Sequence, residues 1–102
     1  MAAALIWSSE SLDDIDAIAQ FIARDSLRHA QSVVDGFFDL GETVVAHPLA
    51  GRAVPELGDG QVRERFLYSY RVIYEVYADR IEVLAVLHGR RSLESIVERF
   101  KG

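Results

Sequence analysis

Chemistry in this chain must come from histidine and arginine. Cysteine is absent, which removes thiolate nucleophiles, disulfides and cysteine metal sites. The serines stand where caps and turns are expected, and no nucleophile-elbow motif occurs. Of the three histidines, His29 and His47 fall at the two ends of a predicted helix and are read as structural or surface residues. His88 is different, because it ends an apolar run and opens His88-Gly89-Arg90-Arg91. A strand end with one His and two Arg can hold a phosphate or a carboxylate, and His titrates near neutral pH. The plainer reading is a turn, with Gly for backbone freedom and solvated arginines. Both readings stay open at this point. Arg63, Arg65 and Arg71 are the other candidates: alternation puts Arg63 and Arg65 on one face of their strand, and Arg71 on the next strand. With His88, Arg90 and Arg91 they would make one positive patch. Pairing with Glu75 or Glu82 would absorb one or two of these arginines.

These side chains need a sheet to hold them. Tyr70 to Tyr77 and Ile81 to His88 are rich in Tyr, Val and Ile, with Ala78-Asp79-Arg80 as a turn-length spacer. They read as an antiparallel hairpin, with Tyr70, Val72, Tyr74 and Val76 on one face. In strict alternation Ile81, Val83, Ala85 and Leu87 share one face of the second strand, and Leu84 and Val86 the other. Val62 to Tyr68 is a further strand that turns at Ser69, and residues 3–7 are a candidate edge strand.

Helices come first in the chain. Ser8 or Ser9 caps one whose stripe is Leu12, Ile15, Ile18, Ala19 and Ile22. The acidic residues Asp13, Asp14 and Asp16 do not converge on one face, so they are expected to be solvated and to favour the helix start. Ser26 caps a second helix over Leu27 to Ala46, ended by His47-Pro48. Gly36 and Gly41 within it suit the close approach of a neighbouring backbone. Residues 48–61, with two Pro and three Gly, read as loop. From Ser92 to Phe100, Leu93, Ile96, Val97 and Phe100 mark a short amphipathic helix.

The expected fold is α+β: an N-terminal helical hairpin packed on a small antiparallel β-sheet, with a short C-terminal helix. At 102 residues the chain is expected to form one domain. The small C-terminal helix is too little to cover Ile73, Leu84 and Val86, so a partner protein is expected on that face.

The net charge is −5 and unevenly spread: −7 over residues 1–61 and +2 over residues 62–102. Ten of the eleven basic residues are Arg, whose planar fork suits fixed pairing with carboxylates or phosphates. An acidic total disfavours broad nucleic-acid affinity, and no sequence-specific nucleic-acid binding is expected. The N-terminus lacks a basic stretch and its apolar run is too short for a signal peptide or a membrane span. A cytoplasmic protein without a metal or other cofactor is expected.

Several motifs occur together in order. They are Trp7-Ser8 with Leu12-Asp13-Asp14-Ile15-Asp16-Ala17-Ile18, His47-Pro48, Gly51-Arg52-Ala53-Val54-Pro55-Glu56-Leu57, Arg63, Tyr70-Arg71-Val72-Ile73-Tyr74, and Val86-Leu87-His88-Gly89-Arg90-Arg91. From about residue 4 to 91 this set resembles the RelE/ParE toxin superfamily, and most of all its ParE branch. The resemblance implies the toxin half of a type II toxin–antitoxin pair, held in a hetero-oligomer by a ParD-like antitoxin. ParE-type toxins poison DNA gyrase by stabilising its cleaved DNA complex, whereas RelE-type toxins cut mRNA in the ribosomal A site with basic and acid–base side chains. The chain resembles the first kind more: its central strands carry no Lys, and beyond His88 there is no Tyr or His. Arg63, Arg71 and His88 remain as a reduced nuclease set. A non-toxic remnant that only holds an antitoxin is the third possibility. No catalytic residue is carried over. Arg63, Arg71, Ile73, Val86, His88, Arg90 and Arg91 are the expected target- or partner-binding residues.

Overall fold

A computed structural model describes residues 4–55, 57, 60–91 and 93–100. β1 (Ala4–Trp7) leads into α1 (Ser9–Ala23) and α2 (Leu27–Ala46). β2 (Arg52–Ala53), β3 (Val62–Leu67), β4 (Tyr70–Val76) and β5 (Arg80–His88) follow, and a 3₁₀ helix covers Leu93–Phe100. The sheet order is β1-β5-β4-β3-β2. All pairings are antiparallel except β1 with β5, which run parallel from Ala4 opposite Arg80 to Trp7 opposite Val83. The α+β architecture stands as expected, and the sheet is mixed because β1 enters beside the last strand. β2 is a further departure: two residues of the expected loop pair with Arg63 and Glu64.

Both helix starts follow the serine pattern. Ser8 Oγ accepts from Ser11 N at 3.0 Å and Ser26 Oγ from His29 N at 3.1 Å. Each such cap contributes about 1 kcal/mol. The inward stripes of the hairpin then meet the sheet: Ile15, Val33, Phe37 and Val44 pack with Val72, Tyr74, Ile81, Val83 and Val86. Burying an aromatic such as Phe37 contributes about 1.5–3 kcal/mol. Gly36 and Gly41 admit side chains rather than a backbone. A Cβ at Gly41 would lie 2.7 Å from Trp7 Cζ2 and 2.9 Å from Leu5 Cδ2.

The second face of the sheet is not open. Val54, Val62, Ile73, Ala85, Leu87, Leu93 and Ile96 form their own buried cluster, with Leu57 against it. In a 3₁₀ helix residues three apart eclipse, which puts Leu93 and Ile96 in line over this face. Ile73, Leu84 and Val86 are 0%, 7% and 2% exposed, so the expected need for a partner over them is corrected. The capping role expected of Ser92 and the inward side chains of Val97 and Phe100 lie outside the described residues.

A bulge explains one further departure. Ile73 pairs with Ala85 and Tyr74 with Val83, so Leu84 is an extra residue in β5. Side-chain phase reverses there. Val86 joins Ile81 and Val83 beneath the helices, and Ala85 and Leu87 go to the second face.

Two short turns meet at one end of the sheet. Tyr68 and Ser69 join β3 to β4, and Tyr68 is the one described non-glycine residue with positive φ, at 54°. Gly89 N donates to Ser69 O at 2.7 Å, which ties the end of β5 to that turn.

Candidate functional site

The seven expected binding residues separate into three groups. Arg71 and Ile73 are buried, so their place on an exposed working face is corrected. The cause is Glu64, on β3, whose side chain is fully out of solvent. Arg71 Nη2 lies 2.6 Å and Nε 2.8 Å from Glu64 Oε1, while Arg52 Nε donates to Oε2 at 2.6 Å. One buried carboxylate therefore holds two guanidiniums, one on each oxygen, through charge-assisted hydrogen bonds. The expected partners of the arginines were Glu75 and Glu82; the observed one is Glu64.

Arg63 sits on the opposite face of the sheet from Arg71, since Arg63 pairs with Tyr74 and Phe66 with Arg71. The single positive patch expected from Arg63, Arg65 and Arg71 is thereby divided between two faces. Arg63 Nη1 donates to Gly51 O at 2.8 Å and to Leu49 O at 3.3 Å. Next to it Tyr74 Oη donates to Pro48 O at 2.8 Å. Both side chains fasten the segment that follows α2. Burial pushes the Tyr74 hydroxyl above its usual pKa, against opposing effects of a Gly51 backbone hydrogen bond and the charges of Arg65 and Arg63. Gly51 has no room for a side chain: a Cβ would collide with the Tyr74 hydroxyl and lie 2.8 Å from Glu64 O.

Val86, His88, Arg90 and Arg91 do come together. After the bulge, Val86 and His88 face α1, and Tyr70 lies directly opposite His88 across the β4–β5 pair. A groove of about 330 Å³ opens there, lined by Ala17, Ile18, Phe21, Tyr70, Val86, Leu87, His88 and Arg91, and by Asp14, whose carboxylate is already paired with Arg99. The His88 ring meets the edge of Tyr70 at 5.9 Å, and Tyr70 in turn meets Phe37 at 5.7 Å, so the rim is braced from the core. Arg90 N donates to His88 Nδ1 at 3.2 Å, which places the proton of the neutral ring on Nε2. The arrangement offers an apolar recess beside one imidazole N–H and two exposed guanidiniums.

Asp14 was expected to be solvated, and this is corrected too. Its Oδ2 accepts from Val86 N at 3.0 Å and from Arg99 Nη1 at 2.7 Å, and its Oδ1 accepts from Arg99 Nη2 at 3.2 Å. Arg99 Nη1 also donates to Leu84 O at 3.2 Å. The Leu84 carbonyl and the Val86 N–H, at and just after the bulge, are thus satisfied by the 3₁₀ helix and α1. The hydrogen bond to Asp14 raises the Arg99 pKa; desolvation opposes it, and the charges of Asp14, Glu10 and Asp13 add to it. No spacing signal in the sequence connects Asp14 to residues 84–86. Tyr70 was expected only as a residue of the face under the helices, and its place opposite His88 comes from the observed register.

Among the described residues no group of three or more His, Asp or Glu is placed to hold a metal ion. No described helix is long and apolar enough to cross a membrane.

The fold itself, a helical hairpin over a five-stranded mixed sheet, is shared with solved structures. A ParDE toxin–antitoxin system from the P. aeruginosa chromosome superposes with a TM-score of 0.71 at 18% identity, over 85% of this chain and 96% of that one. A mutant of the E. coli toxin RelE in the free state superposes with a TM-score of 0.69 at 20% identity, over 99% and 97%. A comparison with curated protein sequences gives no match. The family model for the ParE toxin of the type II toxin–antitoxin system parDE matches residues 5–93, and the chain belongs to that family.

Proposed function

We propose that this ParE-type toxin acts in the cytoplasm by binding DNA gyrase and stabilising its cleaved DNA complex, and that a ParD-like antitoxin neutralises it in a hetero-oligomer. The observation that carries the target reading is the fate of the arginines. Arg71 is spent on Glu64 and Arg63 on the carbonyls of residues 49 and 51. Cutting RNA in line needs groups that activate the 2′-hydroxyl, hold the phosphate and protonate the leaving oxygen. With two of the three candidate groups tied into the fold, His88 and Arg91 remain on the rim of a binding groove, with Arg90 next to them in the chain. That supports a toxin that holds its target rather than one that cuts it.

The antitoxin reading rests on the outer side of the helical hairpin. Leu27 is 77% exposed there. A shallow recess between the helices is lined by Ala19, Ala23, Leu27, Ala30 and Val34. An amphipathic partner helix suits such a surface. One paired assay tests the target: purified toxin with gyrase and plasmid DNA, and separately with translating ribosomes. Accumulated cleaved DNA with intact mRNA is expected. Codon-spaced mRNA cuts would sink the gyrase reading, and activity in neither assay would mark a remnant that only binds an antitoxin.

A further inference from the structure

Exposed carboxylates crowd the helix layer, where Arg24 and Arg28 are the exposed arginines, and Glu94 and Glu98 are exposed on the 3₁₀ helix. Glu10, Asp13 and Asp16 on α1, and Asp35, Asp39 and Glu42 on α2, put negative charge on the helix layer. Asp79 and Glu82, at the far end of the sheet, both pair with Arg80. The opposite end, where residues 68–69 meet residues 89–91, carries Arg90 and Arg91. Both are exposed, and neither pairs with a carboxylate among the described residues. Arg52 borders it on the second face, its side chain 63% exposed and its guanidinium 5.7 Å from the Phe66 ring. Within a chain of net charge −5 this sheet end therefore presents exposed positive charge.

Aromatic side chains stand in solvent at the same end. Phe66 is 50% exposed, Tyr68 67% and Phe21 65%. Phe66 adjoins Gly89, where an added Cβ would lie 3.5 Å from Phe66 Cε1. Phe21 and Arg91 share the rim of the groove on the other side. Tyr68 occupies the first central position of a two-residue turn with φ 54°, a place that suits glycine. A bulky side chain held there and left in solvent does not serve the core.

We propose that this sheet end is a docking surface for an acidic protein segment that carries an aromatic or aliphatic anchor. The anchor enters the groove bounded by Phe21, Tyr70, Val86 and His88, and flanking carboxylates pair with Arg90 and Arg91. Phe66, Tyr68 and Arg52 extend the contact across the two joined turns. Aromatic residues and Arg, without Lys, are the composition of protein interfaces and their hot spots. A polynucleotide carries charge along its whole length and would meet the acidic helix layer, whereas a short acidic segment meets only the positive end. The inference deepens the proposed function, and it rests on the reading that the chain acts by holding a protein target.

The probe is a fluorescein-labelled synthetic peptide of Asp and Glu around one Phe and one Leu, titrated with the purified toxin and read by fluorescence anisotropy. Binding that weakens as salt rises is expected. Arg90→Ala with Arg91→Ala should weaken it at least about tenfold, and Phe66→Ala and Tyr68→Gly each several-fold. The denaturation midpoint checks each variant, and glycine at 68 keeps the turn unstrained. Unchanged affinity in these folded variants, absent binding by the parent chain, or tighter binding of labelled oligo(dT) than of the peptide would each overturn the proposal. The same variants go into the gyrase assay. If gyrase is poisoned equally by parent and variants, the docking surface is wrong and the target reading stands. If the parent never poisons gyrase but the peptide results hold, the reverse is true.

Discussion

Glu64 and Arg71 meet at 2.6 Å with the carboxylate side chain fully buried and the arginine side chain 6% exposed. Removing one partner of such a pair leaves an uncompensated charge in the interior. Glu64→Gln should therefore cost about 3–5 kcal/mol of stability, and Arg71→Met a similar amount. The double replacement Glu64→Leu with Arg71→Met should cost much less than the two single changes together. Urea denaturation of the singles and the double checks this. Additive losses would show that the pair is not coupled.

Asp14 serves two partners and Arg99 serves Asp14 and the Leu84 carbonyl. Asp14→Ala withdraws the acceptor of Val86 N as well as that of Arg99, and should cost about 1–3 kcal/mol. Arg99→Ala leaves the Asp14–Val86 bond in place. Both partners of the ion pair are about one-fifth exposed, so solvent weakens it, and the loss should stay near or below about 1 kcal/mol. Equal losses from the two variants would contradict this ordering, which denaturation midpoints report directly.

Tyr74 makes stability sensitive to alkali. Its hydroxyl has a folded pKa above the usual 10.0 because burial disfavours the phenolate. Between the unfolded and the folded value the native state holds the proton more firmly, so unfolding releases it and stability falls as pH rises. The contribution is fully present below about pH 10 and is lost above it. Tyr77 is raised as well, chiefly by desolvation and a hydrogen bond to Glu75, and adds in the same direction. Tyr74→Phe should lower stability by about 1 kcal/mol at neutral pH through the lost bond to Pro48 O. It should also flatten the alkaline decline, as unfolding midpoints measured across that range would reveal.

Gly51→Ala should be among the most damaging of small substitutions, by about 1–3 kcal/mol. Its new methyl group needs the space of the Tyr74 hydroxyl and approaches the Glu64 carbonyl. Thermal unfolding should show the loss. In the double variant Gly51→Ala with Tyr74→Phe part of the loss should return, because the colliding oxygen is gone.

Arg63 and Arg91 should fail differently. Arg63→Ala unfastens residues 49–51 and should lower the unfolding midpoint, and growth arrest by its folded fraction should persist. Arg91→Ala touches only the groove rim and should leave the midpoint within about 0.5 kcal/mol. It should reduce growth arrest when expressed without antitoxin. A plate assay paired with denaturation separates the two.

The elements were legible where signals are local. Ser8 and Ser26 announce their helices because a cap acts within one turn, and Pro48 ends the second helix by acting on His47. The groove was not legible, since alternation set Val86 and His88 on the face away from Tyr70 and only the bulge turns them toward it. What could not be read were relationships set by distant parts of the chain. A bulge at Leu84 reverses the face of every later residue in β5, and alternation cannot announce it. Glu64 looked like one more charge on a strand, but two arginines converge on it from its two neighbouring strands. Asp14 looked like a helix-start carboxylate because its partners, Val86 and Arg99, are far away in sequence.

β1 lies parallel to β5, with Ala4 opposite Arg80. During synthesis the first strand therefore emerges without a neighbour, and its pairing waits for the last. At about 5–20 residues per second that interval is several seconds. The helical hairpin is complete long before the strands it must cover exist. A nascent chain interrupted before β5 lacks both the strand that joins β1 to β4 and the rim that His88 begins.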